Sequence, residues 1–464
     1  MRIALLATAC VAVIVALVFA RPHPTPGPPM RDFEAYYAAG TAWNAGADPY
    51  SQAIWNAERQ LDGVRAQRYE ALPFVGPPAT LPVFGAIAHM PFRAANILWR
   101  AALVVSLAAL ALLTLRLSGR PANVLTVCVI AVAALGFGPL TSALALGQLA
   151  LPAFTFAVLA LMWAPASVLA WMQPNVALTL LASIFERKHA VAFVLGAAAF
   201  GAACIAVTGA GGLAAYAAVL HAHASAERFS AIQITPAAIA YGFGASPALA
   251  IAAGTIVSVA AIAWWAFLMR SLANMVERFC ATCALLPLAS PFFHEHDLLV
   301  VFVPAIIYAT RATGIRWVLA LLGACLAATD WLGLAQRPDG TVQTMLLVGA
   351  FAVAIVVLHK RPHARMVALA AVVVALIGIA AVFAQSQSAP VWPDAMGALP
   401  ANIAHLDIAG AWEAQQRATG LFAHNGVWAA LRAFSLLGCA LIAAAMTVSL
   451  KSPADSRSPS PVPA

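Results

Sequence analysis

Charge is what this sequence has least of. Of its 464 residues only 9% are charged, against about a quarter in an ordinary soluble domain, while 63% are hydrophobic and the mean hydropathy is +0.88. A water-soluble globule is excluded, because there is too little polar side chain to cover one. Long runs of basic residues are also missing: the net charge of +8 is scattered in small groups at loop ends, so a nucleic-acid partner is not indicated. There is no glycine-rich phosphate loop and no nucleotide-sugar motif. No repeat of twenty to fifty residues is visible, and no likeness between the halves of the kind seen in inverted-repeat transporters. Finally, none of the seven cysteines lies in a long polar loop where a structural disulfide would form. Cys280 and Cys283 read as two small residues one helical turn apart, and no disulfide or cofactor is expected.

What is present is a succession of apolar segments, several near the roughly 20 residues needed to cross a 30 Å hydrocarbon layer. The expectation is an all-α, polytopic membrane protein of about 12–14 membrane segments. Residues 1–20 form a first transmembrane helix or signal anchor, with Val18-Phe19-Ala20 as an alternative cleavage site. Residues 21–96, with six acids and six arginines, are too polar for lipid and form an extramembrane loop with short helices. Residues 97–450 carry the helical domain, with outer loops at 210–245 and 385–427, and 451–464 read as a disordered tail. Between 166 and 185 the apolar stretch is cut at Gln173-Pro174-Asn175 into halves too short to span. It therefore reads as a broken or re-entrant pair with its tip at Gln173.

With the N-terminus inside, Arg116 and Arg120, Arg187 and Lys188, Arg270 and Arg278, Arg311 and Arg316, His359 through Arg365, and Lys451 all fall in the cytoplasm, as the positive-inside rule requires. The same count puts residues 21–96, the Gln173 tip and His294-Glu295-His296-Asp297 outside. Both termini are expected to be cytoplasmic and the protein to reside in the cytoplasmic (plasma) membrane.

On a helix beginning near Arg31, Asp32, Tyr36, Ala39 and Trp43 share one face, which sets a carboxylate beside aromatic rings. Such a carboxylate at a membrane surface suits a general base acting on a sugar hydroxyl; as an acid in the first turn of a surface helix it needs no function. Histidines and acids at the outer end of an apolar helix, as at 294–297, are costly enough to suggest a role. A metal is not expected there, because side chains two apart on a helix point about 200° apart and both ligate only if the turn unwinds. His221 and His223 sit in an amphipathic stretch, Tyr216 to Phe229, that reads as resting on the membrane surface without a role. The 385–427 loop, with Trp392, Asp394, His405, Trp412 and Gln416, reads as a solvated loop or a cap over an acceptor.

Asp32-Phe33, Tyr36-Tyr37, Ala39-Gly40, Asn44, Gly46 and Asp48-Pro49-Tyr50 resemble the opening signature of the bacterial membrane mannosyltransferases of glycosyltransferase family 87, in the GT-C superfamily. The resemblance continues through Pro73 to Pro78, Pro82, Pro91, Ala94 and Trp99, then Gly147-Gln148, Gln173-Pro174-Asn175, and Ser290-Pro291 to His296-Asp297. It implies a GT-C fold and an enzyme that takes a hexose, usually mannose, from a polyprenyl-phosphate donor at the extracytoplasmic face and places it on a glycolipid or cell-envelope glycan. By that likeness Asp32 is the catalytic base of an inverting transfer and His296 a contact of the donor phosphate. His294, Asp297, Gln173, Asn175, Arg93, Tyr36 and Tyr37 are further substrate-binding candidates. Two positions depart from the family pattern. Gln173 stands where a lysine is common, leaving the phosphate charge to another cation such as Arg93 or Arg100, and Gly76 replaces a usual tyrosine. A transporter or flippase of a lipid-linked sugar is the alternative reading, and it would place polar residues near mid-membrane.

Overall fold

The computed structural model of the chain describes residues 2–19, 30–61, 72–337, 339–389 and 406–450. The proline-rich stretch after Arg21, the residues Trp392, Asp394 and His405, and the tail 451–464 lie outside them.

All regular structure among the described residues is helical. In chain order the helices are α1 (Arg2–Phe19), α2 (Arg31–Asn44), α3 (Ala53–Arg59), α4 (Leu81–Ile87), α5 (Phe92–Leu117), α6 (Val124–Gly136), α7 (Gly138–Leu146), α8 (Ala150–Ala160), α9 (Ser167–Ala170), α10 (Pro174–Ala177), α11 (Arg187–Ala226), α12 (Pro236–Gly242), α13 (Pro247–Ser271), α14 (Met275–Ala289), α15 (Phe302–Arg311), α16 (Gly314–Ala327), α17 (Trp331–Gln336), α18 (Gly340–Leu358), α19 (Ala364–Gln385), α20 (Ile408–Ala418) and α21 (Gly426–Leu450). Many boundaries are written locally. Asn123, Thr235, Ser246 and Asn274 cap α6, α12, α13 and α14 through their side chains, and prolines stand just inside α12 and α13, where a missing N–H costs nothing.

Among the described residues, six helices are long and apolar enough to cross a membrane: α5, α11, α13, α18, α19 and Gly426–Val448 of α21. The bent pair α6–α7, which turns through 71° at Phe137, makes a seventh if taken as one span. The 12–14 segments expected from hydropathy therefore include many incomplete ones. Helices α8 and α16, with 11 and 14 residues, reach about 16 and 21 Å. Helix α8 and the second half of α16 are largely buried by neighbouring helices, the setting in which a partial span is tolerated at membrane depth. The break expected at Gln173 is present: its backbone is extended between the short helices α9 and α10, and a 3-10 segment, Leu178–Phe185, follows.

The bundle is apolar on much of its outer surface as well as in its core. Helices α11, α13 and α19 turn Leu195, Ile256, Val259, Leu376 and Ile379 outward, while α18 packs between α1, α6 and α19, and α21 lies against α16. Basic side chains gather at one end. The Arg2 guanidinium donates to the carbonyls of His359 and Lys360, Arg120 to that of Leu358, and Arg311 to those of Ser118 and Leu117. Cations are favoured there because helix C-termini carry unpaired carbonyls. Helix α5 runs from this end to Phe92, which stacks on Phe33 of α2, so α2 sits at the opposite end of the bundle.

One expectation about the outer segments is overturned. Residues 210–226 are helix rather than loop: α11 runs for 40 residues, broken only at Gly209 (φ 71°, ψ 177°), a conformation open to glycine because it lacks a Cβ. The part beyond the break is not a free amphipathic stretch: Tyr216, His223 and Glu227 on one side of it are buried against the rest of the protein, and His221 is exposed.

A candidate active site at the end opposite the basic clusters

Three segments far apart in sequence meet around a cavity of about 120 Å³. The first is α2. Its Gly40 packs so tightly on α4 that a Cβ would lie 2.4 Å from the Phe84 carbonyl, and Asn44 donates to the Gly85 carbonyl at 2.8 Å. Tyr37 donates to the Met90 carbonyl at 2.7 Å and packs edge-on against Phe92. Tyr50, held after an Asx turn on Asp48, donates to the Gly76 carbonyl at 2.8 Å and stacks on Phe74. These motif residues hold α2 and the 72–76 strip that lines the cavity; they do not reach into it.

Asp32 does. Its carboxylate accepts a hydrogen bond from Gln148 Nε2, and Gln148 Oε1 accepts one from the Tyr36 hydroxyl at 3.0 Å. Burial, with the Asp32 charge second, holds the Tyr36 phenol well above its ordinary pKa, so it stays a donor. Gln148 is delivered by Gly147, which ends α7 at φ 83°. A Cβ there would sit 2.8 Å from Phe33 Cβ, and its carbonyl accepts from Trp99 Nε1 at 2.8 Å.

The second segment is the non-helical run from Ser290 to Glu295, docked on residues 230–235. Ile234 N donates to the Phe293 carbonyl at 2.6 Å, and Gln233 and His294 form an antiparallel bridge. The third is the end of α11 with α20. Glu227, 1% exposed, is the hub. It accepts from His294 Nε2 at 2.8 Å, Gln233 Nε2 at 2.7 Å, Trp412 Nε1 and Gln416 Nε2, with His223 Nε2 3.4 Å away. Burial pushes the Glu227 carboxyl up, but the two histidines and these donors outweigh it and bring it down to about 2. Burial likewise disfavours charge on His294, and here Glu227 prevails and raises its pKa. For His296 burial outweighs the nearby Asp297 charge and brings it down to about 4.

Of the expected site residues, Asp32, Tyr36, Gln173, His294 and His296 line this cavity together. Asp297 lies just behind, wholly buried, with its carboxylate accepting from His294 N at 3.1 Å. Tyr37, Asn175 and Arg93 are not among the lining residues. Tyr37 is tied to the α4–α5 turn, Asn175 Oδ1 accepts from Val176 N, and Arg93 is exposed at the start of α5. The basic residue that does line it is Arg31, beside Asp32. His223, expected to have no role, and Glu227 also line it, as does Trp412, so α20 is a cap rather than a solvated loop. The expectation that His294 and His296 diverge fails as well. With the turn unwound their rings lie 5.0 Å apart at 20°. Only Gln148 carried a sequence signal, through the Gly147-Gln148 pair; Glu227 lies in a polar patch indistinguishable from a surface acid.

No protein-family model, curated protein or solved structure matches the chain.

Proposed function

We propose that this protein is an integral membrane glycosyltransferase of the GT-C type, transferring a hexose, mannose by the family resemblance, from a polyprenyl-phosphate donor to a hydroxyl of a glycolipid or cell-envelope glycan at the extracytoplasmic face. In this reading Asp32 takes the proton of the acceptor hydroxyl as its oxygen attacks the anomeric carbon. The carbon–oxygen bond to phosphate breaks on the opposite face, and polyprenyl phosphate leaves with the bonding pair, so the configuration inverts. Arg31, Gln173 and His296 supply the positive charge and hydrogen bonds that a departing phosphate needs. The observation that carries the reading is that a carboxylate oriented by an amide shares one cavity with a guanidinium and a histidine pair, at the end of the bundle opposite the basic clusters. A transporter would be expected to place such groups between opposed helices near mid-membrane.

The test is transfer of labelled mannose from polyprenyl-phosphate-mannose to glycolipid acceptors by purified protein in lipid nanodiscs. Product of inverted configuration is expected. Transfer that Asp32→Asn leaves unchanged, or product of retained configuration, would overturn the assignment.

A further inference from the structure

At the same cavity wall as Asp32, two imidazoles and a carboxylate converge. His294 Nδ1 lies 3.8 Å from Asp297 Oδ2, and His296 Nε2 lies 3.8 Å from Asp297 Oδ1. Ligand atoms of the three residues all fall within 4.8 Å of one another. Asp297 is wholly buried, and its Oδ1 has no hydrogen-bond partner. A buried carboxylate oxygen left so is costly unless something positive meets it.

The tautomer of His294 sharpens this. Glu227 only accepts, so the 2.8 Å contact requires the hydrogen on His294 Nε2, and Nδ1 turns toward Asp297. Either a proton or a metal ion must meet Nδ1 there. A proton serves His294 alone and leaves Asp297 Oδ1 and His296 Nε2 unserved at 3.8 Å, too far for a hydrogen bond. One cation serves all three. An ion bound at about 2.1 Å holds its ligand atoms roughly 3–4 Å apart, and these are nearly that close already. The Glu227–His294 pair then has the form of the carboxylate that orients a metal-bound imidazole from behind, and Glu227 is itself fixed by Gln233, Trp412 and Gln416.

We propose that His294 Nδ1, His296 Nε2 and the Asp297 carboxylate bind one divalent cation. Two imidazoles and one carboxylate favour Zn²⁺ or Mn²⁺ over Ca²⁺ or Mg²⁺, which prefer all-oxygen sets. Three protein ligands leave positions open toward the cavity, as in sites that receive a substrate oxygen. The ion's role rests on the proposed transfer: a dication beside Asp32 and Arg31 in this cavity would add positive charge for a phosphate to meet. Its binding does not depend on that reading.

The experiment is ion binding by the full chain in nanodiscs after stripping with EDTA, using Mn²⁺ followed by electron paramagnetic resonance and Zn²⁺ followed by elemental analysis. One ion per chain is expected. Binding should weaken at least about 10-fold in His296→Gln and Asp297→Asn, and about 10–100-fold in Glu227→Gln, with Asp32→Asn unaffected. His296→Gln alters a group at the cavity wall, and a single symmetric gel-filtration peak would show that it folds. Absence of bound ion, or retention of it by both ligand variants, would overturn the site. Ion binding with no glycosyl transfer from any lipid-linked donor would sink the proposed function and leave the site standing. Transfer unaltered by stripping would remove the ion's part in it.

Discussion

Gln148 donates from its side-chain amide to the carboxylate of Asp32, joining the turn after α7 to the first turn of α2 across 116 residues of chain. The Tyr36 hydroxyl meets the other end of the same amide at 3.0 Å, so the orientation of Gln148 is set and one oxygen of Asp32 is held. A base must be aimed before it is useful, and this pair does the aiming.

Replacing Asp32 with Asn keeps the shape and removes the base. The turnover number for glycosyl transfer should fall by about 10²–10⁴, with donor binding retained, as measured by initial rates and by donor titration in nanodiscs.

Gln148 acts through Asp32, so its variants should shift the pH profile and not only the rate. In Gln148→Glu a second carboxylate faces Asp32, and like charge raises a carboxylate pKa. Because the base works deprotonated, the acid limb of the rate profile should move to higher pH. Gln148→Ala removes a donor that favours the charged carboxylate, so it should lower the turnover number with a smaller displacement in the same direction, and a profile unmoved in both variants would refute a positioning role.

Tyr36→Phe removes the donor that fixes Gln148 while keeping the ring between Phe74 and Phe84. A stability loss of about 0.5–1.5 kcal/mol is expected in thermal unfolding, with a smaller loss of turnover than in Gln148→Ala.

Glu227 ties α11, α20 and the 290–297 segment together. Glu227→Ala leaves its donors buried and unpaired, and removing one partner of such a cluster costs about 3–5 kcal/mol. The midpoint of thermal unfolding should fall clearly further than for alanine at the exposed Glu413, whose ion pair with Arg417 is worth little.

Gly147→Ala meets both a positive φ and a Cβ only 2.8 Å from Phe33 Cβ. The strain should destabilise the protein by more than about 1 kcal/mol and, by pushing α2 away, lower turnover together with stability. A variant of normal stability and turnover would show that the close approach is not needed.

The sequence by itself determined the membrane class, the positions of most helices and the break at Gln173, because these follow from local properties: hydropathy over a window, caps, and prolines that interrupt a ladder. Charge at loop ends likewise indicated which segments share the basic end, and there Arg2 and Arg120 do meet the 358–360 carbonyls while Arg311 meets those of Leu117 and Ser118. The α2 motif was legible as a face bearing Asp32 and Tyr36. Tertiary structure alone decided the rest. Helical spacing sends His294 and His296 apart, yet docking of the 290–295 segment on Gln233 and Ile234 unwinds the turn and stacks them. Nothing local marks Glu227 as anything but a surface acid, since its burial comes from Trp412, Gln416 and His294, from 67 to 189 residues away. Helical spacing already set Tyr36 and not Tyr37 on the face of Asp32, but only the packing of α2 on the α4–α5 turn shows what Tyr37 does instead, which is to pin that turn. Contacts between distant segments have no signature in a single chain's pattern, and it is those contacts that assemble a site.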